Sequence, residues 1–382
     1  MKQWISLLLT VLLLCTPAAA LAQPSEEELS IGAPSAILIE RETGTVLYEK
    51  NADERREVAS ITKLMTALLV LEALDRDEIA LTDSVQISPR AAAMKGSQAL
   101  LDASAVYPLE DLLRTTIMAS ANDSAVALSE YIAGSEENFV DRMNRRAAEL
   151  GMTNTNYVNC TGYPQSGQYT TARDVCRLCC EIAKHPRYNQ YASVWIDKLT
   201  HPGGRVTDLT NTNRLVRFYE GCDGYKTGST DAAKYCLAAT AEKNGMRLVA
   251  IVLGTPVSQT RFNEARQMLD YGFATYRRVV IANKGDLLGQ NVEVRGGSAE
   301  SVPLALGSGL SMLLKNGQQS GLSLSVQLPE SVDAPIAQGD VIGLVDVLLD
   351  GQVIAKLNCV AAEDVPRPGF IEGLLRILRN WR

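Results

Sequence analysis

In the stretch "EVASITKLMTALLVLEAL" a serine, Ser60, stands three residues before a lysine, Lys63, at the head of an apolar run that ends at Leu74. On a helix this spacing sets the two side chains one turn apart on one face. A serine hydroxyl is a weak nucleophile until a base takes its proton. A lysine can be that base only when neutral, so its pKa must fall well below about 10.4 through burial or a nearby cation. Taken alone, the pair also reads as a helix cap beside a solvated lysine. Two further short motifs bear on the choice. Ser120-Ala-Asn122 falls between two helical runs, and Lys226-Thr227-Gly228 falls in a strand-like segment. Lys226 could be the cation that lowers Lys63. Its charge and the Thr227 hydroxyl suit a terminal carboxylate, and Gly228 would let a substrate backbone come close. A Ser-His-Asp triad has little to work with: His185 and His201 each precede a proline, and neither has a recognisable serine elbow for a partner.

The elements that must hold these residues can be read from periodicity. "SAILIERETGTVLYEKN" reads as a β-hairpin, and the helix headed by Ser60 follows. "PLEDLLRTTIMASANDSAVALSEYIAG" reads as two helices broken at Ser120–Asp123. Phe139 to Leu150 is an amphipathic helix ended by Gly151. A loop rich in Asn, Thr, Gly and Tyr runs from Thr153 to Thr170, and Asp174 to Ala183 is helical. From Cys222 to Gly254 the chain reads as strands with a turn at Lys243-Asn244-Gly245, and "SQTRFNEARQMLDYGFATY" returns to helix. This order predicts an α+β body, helices packed on an antiparallel sheet, over residues 23–278. Val292–Val294, Leu322–Leu328, Val341–Leu349 and Val353–Asn358 then predict a small all-β domain over 279–365. The tail, 366–382, reads as an amphipathic helix with Arg376, Arg379 and Arg382 among Phe370, Leu374, Leu378 and Trp381. Such a helix lies in a membrane interface.

The bulk numbers bound the function. A chain of 382 residues allows two or three domains, and a net charge of −7 argues against nucleic acid as a partner. Lys2, the short apolar run Ile5–Cys15 and Ala20-Leu21-Ala22 read as an export signal over 1–22, cut after Ala22. Seven of the 8 cysteines would survive that cut, an odd number that cannot form a closed internal disulfide set. Cys176, Cys179 and Cys180, with His185 nearby, superficially suggest a metal site. Their spacing is that of a helix face, which suits buried thiols better, and no metal is expected. Cys222 lies four residues before Lys226, so its oxidation would disturb whatever cleft Lys226 lines.

Together the three motifs match the signature of penicillin-binding proteins and class A β-lactamases. The wider chain resembles the serine-type D-alanyl-D-alanine carboxypeptidases, the low-molecular-mass penicillin-binding proteins, in "VASITKLMTALL", "MASANDSAVALSEYIAG", "GYKTGSTDAAKYCLAATAEKNGMRLVAIVLG" and "RFNEARQMLDYGF". The resemblance implies a β-lactamase/transpeptidase-like fold, a β-rich second domain and a membrane-associating tail. It implies Ser60 as nucleophile and Lys63 as base, with Ser120 relaying a proton to the leaving amine and Asn122 holding the substrate amide. It also implies a carboxylate site at Lys226, Thr227 and Gly228, assisted by Arg261, and an oxyanion hole from the N–H groups of Ser60 and Ser229. Ala121 stands where relatives more often have glycine. Class A β-lactamases activate the deacylating water with a glutamate between the second and third motifs. "GMTNTNYVNCTGYPQSGQYTTARDV" holds none, so β-lactams should acylate Ser60 and stay. The expected activity is removal of the terminal D-alanine from peptidoglycan stem pentapeptides, without cofactor, at the outer face of the bacterial cytoplasmic membrane. A D,D-endopeptidase and a non-catalytic wall-binding or β-lactam-sensing protein are the alternatives.

Overall fold

The computed structural model describes residues 29–369; the expected export signal and the amphipathic tail helix lie largely or wholly outside them. An antiparallel five-stranded sheet runs in the order Val46–Lys50, Ser35–Glu40, Met246–Thr255, Lys234–Lys243, Cys222–Thr230. The first two strands are the hairpin at the start of the domain and the last three are the Cys222–Thr255 run. The chain therefore closes its sheet by laying Met246–Thr255 against Ser35–Glu40.

Side chains alternate across this sheet. Leu38 meets the helix Ser258–Thr275, where a Cβ on Gly272 would come within 3.3 Å of it. Ile37 and Ile39 face the helix Ala172–Ile182 instead. Helices thus cover both faces. Lys63–Asp75 is the central helix of the larger layer: every residue from Lys63 to Leu74 is buried except Glu72. Such all-round apolarity marks a helix enclosed by other helices rather than one with a wet face. It packs against Leu109–Met118, Asn122–Ala133, Glu136–Glu149 and Ala172–Ile182.

Local chemistry sets the helix ends. Ser135 Oγ accepts from Asn138 N, and Thr171 Oγ1 accepts from Asp174 N, each capping a helix start. Gly134 ends its helix at φ +78°, the left-handed conformation that glycine takes without a Cβ penalty. The cysteine helix is as expected from its spacing: Cys176 and Cys179 are buried and every described cysteine is a free thiol.

The helix Ser258–Thr275 gives way directly to a strand at Tyr276, so the β-rich region starts three residues before the expected boundary. It holds a six-stranded sheet, in the order Leu322–Gln327, Val341–Leu349, Gln352–Ala361, Ser301–Leu306, Leu287–Arg295, Ser331–Asp333, and a pair, Tyr276–Ala282 with Leu310–Lys315. Val292, Val302, Leu304, Val345 and Val347 form its core. No helix among the described residues is long and apolar enough to cross a membrane.

Candidate active site

Ser60 does not cap the central helix. It sits in a single 3-10 turn, Ala59–Thr62, and the α-helix begins at Lys63. Ala59 takes φ +50°, a left-handed kink that turns the chain into the helix. Lys63 lies inside, 1% exposed, with Nζ 2.9 Å from Ser60 Oγ and 2.7 Å from the Thr161 carbonyl. A neutral amine there has an N–H for Thr161 and a lone pair for the Ser60 proton. Burial pulls the Lys63 pKa down to about 7, against smaller opposing effects of Cys160 and Asp123.

Two glycines bring backbone against the serine turn. Gly162 stands at φ +77°, where a Cβ would fall 1.9 Å from the Ala59 carbonyl oxygen and 2.9 Å from Ser60 N. Gly228, on the edge strand, packs on the other side: its Cβ would fall 2.2 Å from Val58 O. This gives Gly228 a role beside the one expected of it. Its bare backbone is needed by the nucleophile turn itself.

Lys226 is 1% exposed and Thr227 5%. Lys226 Nζ lies 3.3 Å from the Thr227 carbonyl. Burial first, then repulsion from Lys63 and Arg261, holds the Lys226 pKa well below the usual ammonium range. Lys226 was expected to be the cation that lowers Lys63. At Lys63 desolvation is the leading cause of the lowered pKa, and the two buried ammonium groups repel each other. Ser229, next along the strand, is exposed.

The helix Asn122–Ala133 delivers the remaining motif. Ser120, buried, adopts φ +63° just ahead of it. Asn122 is fixed by Nδ2 to Lys95 O at 2.5 Å and by its N–H to Ser97 O at 2.7 Å. Its Oδ1 is buried without a hydrogen-bond partner. A buried amide oxygen left unpaired is costly, and a substrate N–H would satisfy it. Asp123 accepts from the N–H groups of Ala99 and Leu101 at 3.0 and 3.1 Å, tying down the 95–101 segment that holds Asn122.

Arg261 is neither a surface ion pair nor free to meet a carboxylate with its whole guanidinium. It is buried, and Nη1 donates to the carbonyls of Gly228 and Cys236 at 2.9 and 3.2 Å. Its contacts clamp the edge strand from behind. Cys222 is shielded: its thiol is 8% exposed, lies 3.3 Å from the Gly224 carbonyl, and its pKa is pushed up to about 12 by burial. His201 is held between Tyr107 OH and Thr207 Oγ1, each at 2.8 Å. His185 pairs with Asp75. Glu72, Glu181 and His185 come together away from the serine turn, but Arg146 already joins both carboxylates.

Sequence reasoning did not find Thr161, Gly162 or Asp123. The loop carrying the first two was read for a glutamate side chain, whereas what it contributes is a carbonyl and an absent Cβ.

Residues 21–257 match the family described as D-alanyl-D-alanine carboxypeptidase, peptidase S11, and residues 276–367 match the C-terminal domain of penicillin-binding protein 5. The chain belongs to the peptidase S11 family. It is 38% identical over 386 residues to D-alanyl-D-alanine carboxypeptidase DacF of Bacillus subtilis, covering 100% of this chain and 99% of that one. It is 34% identical to DacC of Escherichia coli, covering 94% of this chain and 90% of that one. Penicillin-binding protein 5 of Haemophilus influenzae superposes with a TM-score of 0.74 at 32% identity, over 88% of this chain and 98% of that one. Its α+β fold with an appended β domain is therefore that of the S11 peptidases.

Proposed function

We propose that this protein is a serine D,D-carboxypeptidase that removes the terminal D-alanine from peptidoglycan stem pentapeptides and is acylated by β-lactams. The observation that carries the reading is Lys63 Nζ at 2.9 Å from Ser60 Oγ, in a site dry enough to lower that amine's pKa to about 7.

The reaction follows from the geometry. Neutral Lys63, oriented by the Thr161 carbonyl, takes the Ser60 proton as Oγ attacks the carbonyl of the penultimate D-alanine. The N–H groups of Ser60 and Ser229 stabilise the oxyanion. Asn122 Oδ1 accepts from the substrate amide, and Ser120 passes a proton to the departing D-alanine amine. Lys226 and Thr227 hold the terminal carboxylate, with Arg261 adding positive charge and fixing Gly228 from behind. Water then attacks the ester with Lys63 again as base, releasing the tetrapeptide. A β-lactam follows the first half only. Its amine stays tethered, and the loop Thr153–Thr170 carries no glutamate to activate water.

The chain is exported, loses residues 1–22 and rests on the outer face of the cytoplasmic membrane through its basic, Trp-ended tail. That placement matches a substrate which lies outside the cell.

The test is intact-protein mass after labelled penicillin, with peptide mapping, beside an assay for free D-alanine from a D-alanyl-D-alanine peptide. A stable adduct on Ser60 together with D-alanine release is the expected result. An adduct without release would replace the carboxypeptidase by an endopeptidase or a sensor, and no adduct on folded protein would end the reading.

A further inference from the structure

A buried carboxylate that the mechanism leaves unused, Glu136, touches the segments behind both halves of the cleft. It opens the helix Glu136–Glu149, just after the capping Ser135. An acid in a first helical turn can favour the dipole from the surface, and Glu137 does so with its side chain 70% exposed. Glu136 is 6% exposed instead. A carboxylate taken out of water persists only where its oxygens are matched, and each oxygen here is matched by a different segment.

Oε1 accepts from Cys160 N at 3.0 Å. The Cys160 carbonyl accepts from Thr66 Oγ1 at 2.6 Å, so this residue is pinned from both sides. The next residue is Thr161, whose carbonyl takes the Lys63 N–H at 2.7 Å. Oε2 accepts from Arg90 Nη2 at 2.5 Å. Arg90 belongs to the short helix Pro89–Ala92, and the chain leaves that helix with Met94 N donating to Ala91 O at 3.2 Å. Lys95 follows. Its carbonyl holds Asn122 Nδ2, and the Ser97 carbonyl holds the Asn122 N–H. One side chain thus joins the loop that orients the base to the segment that holds the amide-binding asparagine.

We propose that Glu136 is a positioning residue for both halves of the site: Oε1 fixes the Thr161 carbonyl for Lys63, and Oε2, through Arg90, fixes Lys95–Ser97 for Asn122. The inference rests on the carboxypeptidase reading above and adds what keeps its base and its amide site in register.

The two oxygens can be separated by substitution. Arg90→Gln removes the partner of Oε2 and leaves Oε1 on Cys160. Glu136→Gln keeps an oxygen for Cys160 N, because that buried N–H is costly to leave unpaired, while Arg90 can turn to Glu137, which it already meets at 3.0 Å. Glu136→Ala removes both contacts.

The test is the rate of Ser60 acylation in the full chain, read by intact mass, with two β-lactams: benzylpenicillin, whose side-chain amide meets Asn122, and penicillanic acid, which has no such amide. Glu136→Ala should slow both by about 10²-fold, the scale of a displacement of about 1 Å at a reacting group. Arg90→Gln should slow benzylpenicillin about tenfold, the scale of one hydrogen bond to a buried group, and penicillanic acid far less. Glu136→Gln should recover the penicillanic acid rate and stay slow toward benzylpenicillin. A merely structural role would lower the melting curve without this split. Arg90 is half exposed, so its variant decides the matter even if Glu136→Ala does not fold. Equal slowing of the two β-lactams by Arg90→Gln, no recovery in Glu136→Gln, or unaltered rates in Glu136→Ala would overturn this inference alone. No acylation of the unaltered protein would end the carboxypeptidase reading and this inference with it.

Discussion

The serine cleft and the β-rich domain bury their residues by opposite rules. Around Ser60 the interior holds two lysines, Lys63 and Lys226, each 1% exposed, with Asn122, Asp123 and Thr227 beside them. Among the described residues beyond Thr275, Asp346 is the one buried charged or polar side chain, and it reaches Lys356 and Gln327. A buried ammonium without a carboxylate partner opposes folding, so a fold keeps it only where the neutral amine has a use. The contrast teaches where to look for chemistry in this molecule. The second domain is packed for shape, and the first carries unfavourable groups at one place.

The largest effects should come from removing that one place. Ser60→Ala should cut acylation by labelled penicillin by about 10⁴-fold or more, the scale for losing a nucleophile. Lys63→Arg should fall as far, although it keeps the charge, because a guanidinium cannot give up its proton. Stopped-flow acylation rates check both. Activity retained in Lys63→Arg would mean that the lysine acts by charge alone. Gly162→Ala comes next. Its Cβ would meet the Ala59 carbonyl at 1.9 Å, so the turn must move, and a shift of about 1 Å at a nucleophile costs about 10²-fold. Gly351→Ala in the β domain makes the matching control. That glycine is also at positive φ, +81°, but nothing lies within 4 Å of its Cβ. It should cost about 1–2 kcal/mol in thermal unfolding and leave acylation alone.

The sequence made some of this site plain and hid the rest for identifiable reasons. The Ser60–Lys63 spacing, the hairpin at Ser35–Lys50 and the three strands from Cys222 to Thr255 follow from periodicity, because each is a local pattern. The short hairpin Ile196–Thr200 with Val206–Thr210 was missed, since its strands alternate weakly and expose most of their residues. Thr161 was invisible because its contribution is a main-chain carbonyl, which any residue type carries. Gly162 and Gly228 could be seen as glycines, but the reason for them is a neighbour about 100 or more positions away in the chain. The clamping contacts of Arg261 could not be read from its type and position, which suggest charge recognition, because its partners are main-chain carbonyls.

A pH series sharpens the comparison at intermediate cost. With Lys63 near 7, acylation should rise with pH, reach half its plateau near pH 7, and be flat above pH 8 on this limb. Stability should follow the same group with a defined sign. Unfolded, Lys63 binds its proton up to about pH 10.4; folded, only to about 7. Between those values the unfolded chain holds the extra proton, so this group makes unfolding harder as pH rises from about 7 to about 10. Lys226, shifted in the same direction, adds to the slope. Lys63→Met should therefore reduce the slope and raise the melting temperature at pH 7 by ~2–4 °C while abolishing acylation. A melting temperature that falls would show that the lysine is stabilising where it sits.

The smallest effect on chemistry should come from the largest apolar deletion in the second domain. Leu304 is 1% exposed and packs with Val302, Val345 and Val347 in a core without charge. Leu304→Ala should cost about 2–5 kcal/mol of that domain's stability, through lost transfer energy and the cavity left behind. Acylation at Ser60 should stay within about twofold, because none of the groups that position Ser60 lies beyond Arg261. The check is a melting curve read beside the penicillin acylation rate on the same preparation. A variant with a lowered melting transition and unchanged acylation keeps the two regions separate in function. An acylation rate that drops along with the β domain's stability would mean that the cleft depends on that domain, and the division between a domain packed for shape and a domain built for chemistry would fail.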